Sequence, residues 1–297
     1  MEKIICFGEI LWDMLPQGKM PGGAPMNVAF HLNQLGQEAA PLTALGKDDD
    51  GYEMAEFLKS KNIPTSFIQW NDQPTGKVLV ALNERQEASY TIQAPAAWDF
   101  IKINDELFNS LKNIQPIVVF GSLACRSEIN RRSLAKLWTA AALKICDINL
   151  RAPFYNKDLV QHLFSNTDWI KINHDELALI TSWFSDQSMD EKSQAHLLLK
   201  LFPDVDMVLV TRGDKGAAYY DRDSQYSHDG FKVSVADTVG SGDSFLAMFI
   251  SKALGGHHPE DCLRYACAMG ATVATHKGAT PVFDINDSVK ALILKGH

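Results

Sequence analysis

Positive charge is scarce in this chain: 28 Lys and Arg stand against 36 Asp and Glu, a formal net charge of −8. Phosphate-backbone binding rests on clustered Lys and Arg, so nucleic acid is excluded as the main partner. Smaller anions are not, because backbone N–H groups and a cation can hold phosphate in an acidic protein. Paired cysteines are missing too. Cys6, Cys125, Cys146, Cys262 and Cys267 are odd in number, scattered and without a CxxC pair. That pattern predicts reduced, buried thiols rather than disulfides or a metal site. No stretch reaches the roughly 18 continuous apolar residues that a spanning helix needs. The opening run MEKIICFGEILWDML is interrupted by Glu9 and Asp13, with no cleavage site after it. It reads as a strand, and the chain as a cytoplasmic protein without a membrane partner.

Three common nucleotide signatures are also absent. The sequence has no GxxxxGK[ST], no H-R-D with D-F-G, and only one glycine in CFGEIL, where a dinucleotide fold needs G-x-G-x-x-G. Short apolar runs are what it does have. Strands are predicted at 3–10, 40–45, 116–121, 144–148, 168–172 and 206–211. Helices are predicted at 25–35, 51–61, 128–143, 157–164, 174–182, 190–202 and 243–254. Continuous apolar strands between helices imply an α/β fold with a mostly parallel sheet covered on both faces. Residues 66–93 break the alternation and read as three strands without helices, a small antiparallel sheet placed as a lid. A single α/β domain spanning 1–297 is expected, with a lid from about 11–21 and 66–95.

Two glycine-rich segments carry the chemistry. In SVADTVGSGDSFLAMFI, Gly240, Ser241 and Gly242 precede Asp243 and a helix apolar on several sides. A buried helix aims unpaired N–H groups and partial positive charge forward, which suits phosphate. Asp243 beside that anion hole supplies the proton acceptor that phosphoryl transfer to an alcohol needs. The alternative is a plain N-cap with a favourable acid in its first turn. In MPGGAPMNVAFHLNQLG, Gly22 and Gly23 lead into a helix starting near Pro25, with Asn27 in the first turn. Asn27 can donate to and accept from hydroxyls, and Asp13 can hold two of them. On the residues alone, Asn27 as a cap and Asp13 as a solvated turn residue remain open.

Taken together, these segments resemble the ribokinase (PfkB) family of carbohydrate kinases, and most closely its fructokinase branch. Gly22-Gly23-Ala24-Pro25-Met26-Asn27-Val28-Ala29, six residues, Gly36, nine residues and Gly46 match the family's first signature. Asp237-Thr238-Val239-Gly240-Ser241-Gly242-Asp243 matches the core of the second, and CDINLRAPF, INHDE and VTRGDKGA fall between them in family order. The resemblance covers essentially the whole chain.

It implies a ribokinase-like fold and ATP-dependent phosphorylation of a sugar hydroxyl, with fructose preferred. Asp243 would be the base, and Gly240, Ser241 and Gly242 the anion hole. Asp13, Gly22, Gly23 and Asn27 would hold the sugar, with Asn149 and Arg151 as weaker candidates. Asn173 and Glu176 would sit by the phosphates and organise Mg²⁺ through water. Thr211, Gly213 and Gly216 would border the nucleotide, Gly278 and its neighbours would close around adenosine, and Asp237 with the Val239 carbonyl would hold a monovalent cation such as K⁺. An Asp at a helix N-terminus is expected to be a weak base, its charge favoured there. The resemblance also allows a homodimer joined through the lid. Three departures stand out: Met248 where a small residue is usual, Cys267 in place of an Asn beside adenine, and Arg212, which could reach phosphate or only the surface. Within the family, 2-keto-3-deoxygluconate kinase and nucleoside kinase are the competing readings. From another class, a catalytically silent sugar-binding regulator is.

Overall fold

The computed structural model describes residues 3–15, 18–82 and 88–295. Among them the strands are β1 (Ile4–Phe7), β2 (Leu11–Leu15), β3 (Gly18–Gly22), β4 (Ala39–Gly46), β5 (Ile68–Asn71), β6 (Gly76–Leu82) and β7 (Ala88–Ile92), followed by β8 (Ile117–Phe120), β9 (Leu143–Asp147), β10 (Trp169–Asn173), β11 (Met207–Thr211), β12 (Ala217–Tyr220) and β13 (Gln225–His228). Nine of these form the main sheet in the order β13-β12-β11-β10-β9-β8-β1-β4-β5. Its pairings are parallel from β5 through β11, and β12 and β13 return antiparallel at one edge.

Both faces of this sheet are covered because β1 and β8 are apolar at every position and their neighbours nearly so. In β1, Ile5 and Phe7 point into a core shared with Val118, Phe120, Leu134 and Val160. The alternate residues Ile4 and Cys6 point the other way, against Val28, Ala29, Leu32, Leu246, Ala247 and Ile250. A period of two with two apolar faces buries the strand twice. The helices are α1 (Ala24–Gln34), α2 (Asp49–Ser60), α3 (Asp105–Ile114), α4 (Glu128–Trp138), α5 (Lys157–Phe164), α6 (His174–Ser182), α7 (Glu191–Leu201), α8 (Ser241–Leu254), α9 (Pro259–Ala274) and α10 (Ile285–Lys295). Helix α8 is apolar nearly all round, and it is enclosed between α1 on one side and α9 on the other. Met248 is accommodated in that second contact, packed among Cys262, Leu263, Ala266 and Cys267. All five cysteines are free and buried.

The predicted strand at 3–10 is shortened to β1, Ile4–Phe7. The chain leaves the main sheet at Gly8 (φ +147°) and re-enters a second sheet as β2. That sheet, ordered β3-β2-β6-β7, is the small second sheet where the lid was expected. Its β2–β3 and β6–β7 pairs are antiparallel, while β2 and β6 run parallel. The first third of the expected lid segment 66–93 goes elsewhere: Ile68–Asn71 pairs with β4 and extends the main sheet. It is half-buried with Trp70 exposed, as suits an edge strand resting on the body. Residues 16–17 and 83–87 of the predicted lid lie outside the described residues. No helix among the described residues is long and apolar enough to cross a membrane.

Candidate active site

The site lies where β1, β8, β9, β10 and β11 end, at the carboxyl edge of the parallel strands. Two helix N-termini converge there from opposite ends of the sequence. Helix α1 starts with Pro25 in its first turn and carries Asn27, which is only 4% exposed. Helix α8 is entered through Gly240 in the left-handed conformation (φ 79°), with no side chain capping it. Its first-turn amides at Gly242 and Asp243 therefore have no carbonyl one turn behind them. Asn27 Nδ2 donates to Asp243 Oδ2 at 2.8 Å across 216 residues of chain. Asn27 Oδ1 is buried with no hydrogen-bond partner, as is Ser241 Oγ. Asn27 Oδ1 lies at the meeting point of the two helices, where a ligand hydroxyl could satisfy it.

Asp243 departs from its expected weakness as a base. Its pKa is pushed up to about 6 because burial disfavours the charge and Asp147 repels it; Lys171, the Asn27 hydrogen bond and Arg151 pull the other way. Desolvation outweighs the helix N-terminus here. Asp243 as a residue is only half-buried, at the start of α8, which leaves it within reach of a bound alcohol.

Lys171 was not singled out in the sequence. It stands in β10 amid apolar neighbours, and its Nζ donates to both Asp147 oxygens at 2.9 and 3.0 Å. Burial opposes its charge, but Asp147, Asp243 and Glu176 together hold its pKa above the ordinary value. A lysine inside a strand buried on both faces was the signal available. Glu9, just past β1, was likewise passed over. Desolvation raises its pKa to about 7, and its Oε2 has no partner.

The predicted sugar residues gather around this floor. Asp13 is on lid strand β2, its pKa raised by burial and opposed by Arg151, and Gly22 faces its carboxylate. Asn149 adopts φ 40° after β9, and Arg151 donates to the Leu150 carbonyl, with an exposed side chain.

Asn173 and Glu176, expected beside the nucleotide phosphates, form a capping box. Glu176 N donates to Asn173 Oδ1 at 2.9 Å, and Asn173 N donates to Glu176 Oε2 at 3.0 Å. The other oxygen of Glu176 accepts from Leu150 N at 2.7 Å. Each oxygen thus carries a backbone amide, and burial raises the pKa of the group. Thr211 ends β11, and Gly213 and Gly216 flank the short turn after it. Asp237 bridges two loops, accepting from Val239 N at 3.1 Å and from Gly278 N at 3.0 Å. Cys267 is 7% exposed within α9. Arg212 turns aside: its Nε and Nη2 fork onto Glu191 at 2.8 and 2.6 Å, and Tyr220 completes the cluster.

A parallel sheet with a second small sheet over its carboxyl edge, an anion hole and an acid held by the opposite glycine loop define the class as a phosphotransferase of ribokinase-like fold. The match to the pfkB family carbohydrate kinase model extends over residues 3–286, and the chain belongs to that family. It is 30% identical to the fructokinase of Solanum tuberosum over 319 residues, covering 99% of this chain and 96% of that protein. In fold it is similar to fructokinase with bound ATP from Xylella fastidiosa (TM-score 0.85, 23% identity, 100% and 99% of the two chains). It is similar as well to a fructokinase double mutant from Vibrio cholerae O395 in its fructose-, ADP- and potassium-bound form (TM-score 0.80, 22% identity, 99% and 98%).

Proposed function

We propose that this protein transfers the γ-phosphoryl group of ATP to a hydroxyl of fructose. The observation that carries the reading is the Asn27–Asp243 hydrogen bond, which sets the sugar loop against the acid of the anion hole. The full-length likeness to a fructokinase supports the choice of sugar.

In this reading Asp13, Gly22, Gly23 and Asn27 bind the sugar, with Asn149 and Arg151 at its far side. Asn27 orients both partners: its amide nitrogen holds Asp243, and its free Oδ1 accepts from a sugar hydroxyl. Asp243 takes the hydroxyl proton, and a base with pKa about 6 is ionised at neutral pH yet basic enough to accept. The amides at Gly242 and Asp243 face the charge that grows on the transferred group and Gly240 makes the turn before them, while Ser241 N is already spent on the Thr238 carbonyl at 3.2 Å. Nucleotide lies along Thr211, Gly213, Gly216, Gly278 and Cys267, while Arg212 contributes structure through Glu191.

Among the described residues no cluster of three or more His, Cys, Asp or Glu could hold a metal ion alone. Mg²⁺ therefore fits as a companion of the nucleotide phosphates, with Asn173 and Glu176 reaching it through water, where it neutralises phosphate charge. Asp237 and the Val239 carbonyl are the donors for a monovalent cation beside the anion hole. The lid covers the sugar and excludes water, and pairing of two copies through it is the expected dimer.

A coupled ADP-release screen over fructose, ribose, glucose, 2-keto-3-deoxygluconate and adenosine, with and without K⁺, tests this. Fructose should give the highest kcat/KM. A higher value for another substrate would move the reading within the family, and no turnover with any would favour a silent sugar-binding regulator.

A further inference from the structure

Helix α1 reaches the site twice. Asn27 touches Asp243, and one turn later on the same face His31 is 1% exposed, with its Nε2 2.9 Å from the carbonyl oxygen of Ala279. That carbonyl can only accept, so Nε2 carries the hydrogen. Burial pushes the imidazole pKa down to about 4, which keeps the ring neutral at physiological pH.

Ala279 belongs to the loop expected around adenosine, and it presses on the anion hole. A Cβ built on Gly240 would sit 2.6 Å from Ala279 Cα and 2.8 Å from its carbonyl oxygen. The same loop is tied to the hole a second time, through Gly278 N and Asp237 Oδ2. From outside α1 it is held by Lys61, whose Nζ donates to the Thr280 carbonyl at 3.2 Å. Helix α1 itself is docked firmly, with Val28, Ala29 and Leu32 packed against Leu246, Ala247 and Ile250 of α8.

We propose that His31 is a positioning residue that links occupancy of the sugar loop at Gly22–Asn27 to the geometry of the nucleotide loop around Ala279. The inference rests on the kinase reading above. A sugar that fixes Asn27 also fixes the start of α1, and through His31 it fixes the loop that closes the nucleotide side. Each ligand then finds part of the other's ordering already done, and linkage requires the effect to be equal in both directions.

Calorimetry with β,γ-methylene-ATP, with and without saturating fructose, reads the link. In the unmodified protein fructose should tighten binding of the analogue by about fivefold or more, and the analogue should tighten fructose by the same factor. His31→Leu should bring both factors below about twofold, and His31→Gln, which restores an N–H donor, should recover most of them. If the leucine variant does not fold, His31→Asn, too short to reach Ala279, takes its place. Lys61→Met loosens the loop from its other side and should leave the factor unchanged. A lowered Tm with an unchanged factor in His31→Leu would make the residue merely structural, and equal losses in Lys61→Met would assign the effect to loop mobility; either overturns the proposal. So does an unmodified protein that turns over fructose without any coupling. If another sugar is the better substrate in the ADP-release screen, the fructose reading fails alone and the same measurement is made with that sugar. If none is turned over, the kinase reading fails and the link with it.

Discussion

The two glycine loops look alike in sequence and differ in what their glycines do. In the loop before α1, Gly23 (φ +120°) lies so close to the β1–β2 connection that a Cβ there would be 2.4 Å from the Glu9 carbonyl oxygen and 3.1 Å from Ile10 Cα. The obstacle is backbone, which has no way to yield. At Gly242 the nearest atom to an added Cβ is the Lys171 ammonium, 3.0 Å away, at the end of a flexible side chain. One glycine lets two main-chain segments touch; the other leaves room for a charge. A glycine-rich motif therefore does not by itself mark open space for a ligand.

Substitutions that act on one loop and spare the other sharpen this contrast. The largest effect belongs to the acid of the α8 loop. Asp243→Ala should lower kcat by ~10²–10⁴-fold with both ligands still binding, as expected for a positioned base. Near-normal turnover would take Asp243 out of that role. In the unmodified enzyme kcat/KM should fall as pH drops through about 6, because the carboxylate protonates there; a limb near pH 4 would mean that burial does not govern this group. Next in size, Gly23→Ala should cost about 1–3 kcal/mol in urea unfolding, from backbone strain and the conflict at Glu9. Unchanged stability would refute the close contact. Gly242→Ala should keep its Tm within a few degrees yet lower kcat about tenfold by displacing the Lys171 ammonium, so the two glycines would separate stability from turnover. Smallest of all, Arg212→Ala should change the KM for ATP less than about twofold, with a stability loss of about 0.5–1 kcal/mol from the half-exposed Glu191 pair. A large rise in KM would return Arg212 to the nucleotide.

Much of the site was legible because its parts are local. The helix starts after Gly23 and Gly240, the acid at Asp243 and the amide at Asn27 each follow from a few consecutive residues. Their contact across the fold does not, and only the resemblance to a family suggested it. The strand at 3–10 was read as one because apolar residues stand on both sides of Gly8 and Glu9, whereas the bend at Gly8 depends on a backbone angle no pattern records. Ile68–Asn71 was assigned to the lid by its neighbours in sequence, although its partner is β4. Helices α3, α9 and α10 and the β12–β13 hairpin were not anticipated. In α9 buried residues occur all round the helix, so no periodic stripe announces it. Lys171 escaped notice for a related reason: a charge in a doubly buried strand breaks the composition rule, and only its pairing with Asp147 makes it tolerable.

The bend at Gly8 has a further effect. Only Gly8, Glu9 and Ile10 separate the last residue of β1 from the first of β2. The cover is thus tethered by a three-residue leash to a central strand of the body, and Asp13 travels with it. In the proposed reading, lifting the cover to admit a sugar would draw that carboxylate away from the floor, and lowering it would bring shelter and carboxylate together. Recognition and enclosure would then be a single movement, and a compound that stops the cover from seating fully would forfeit the carboxylate as well.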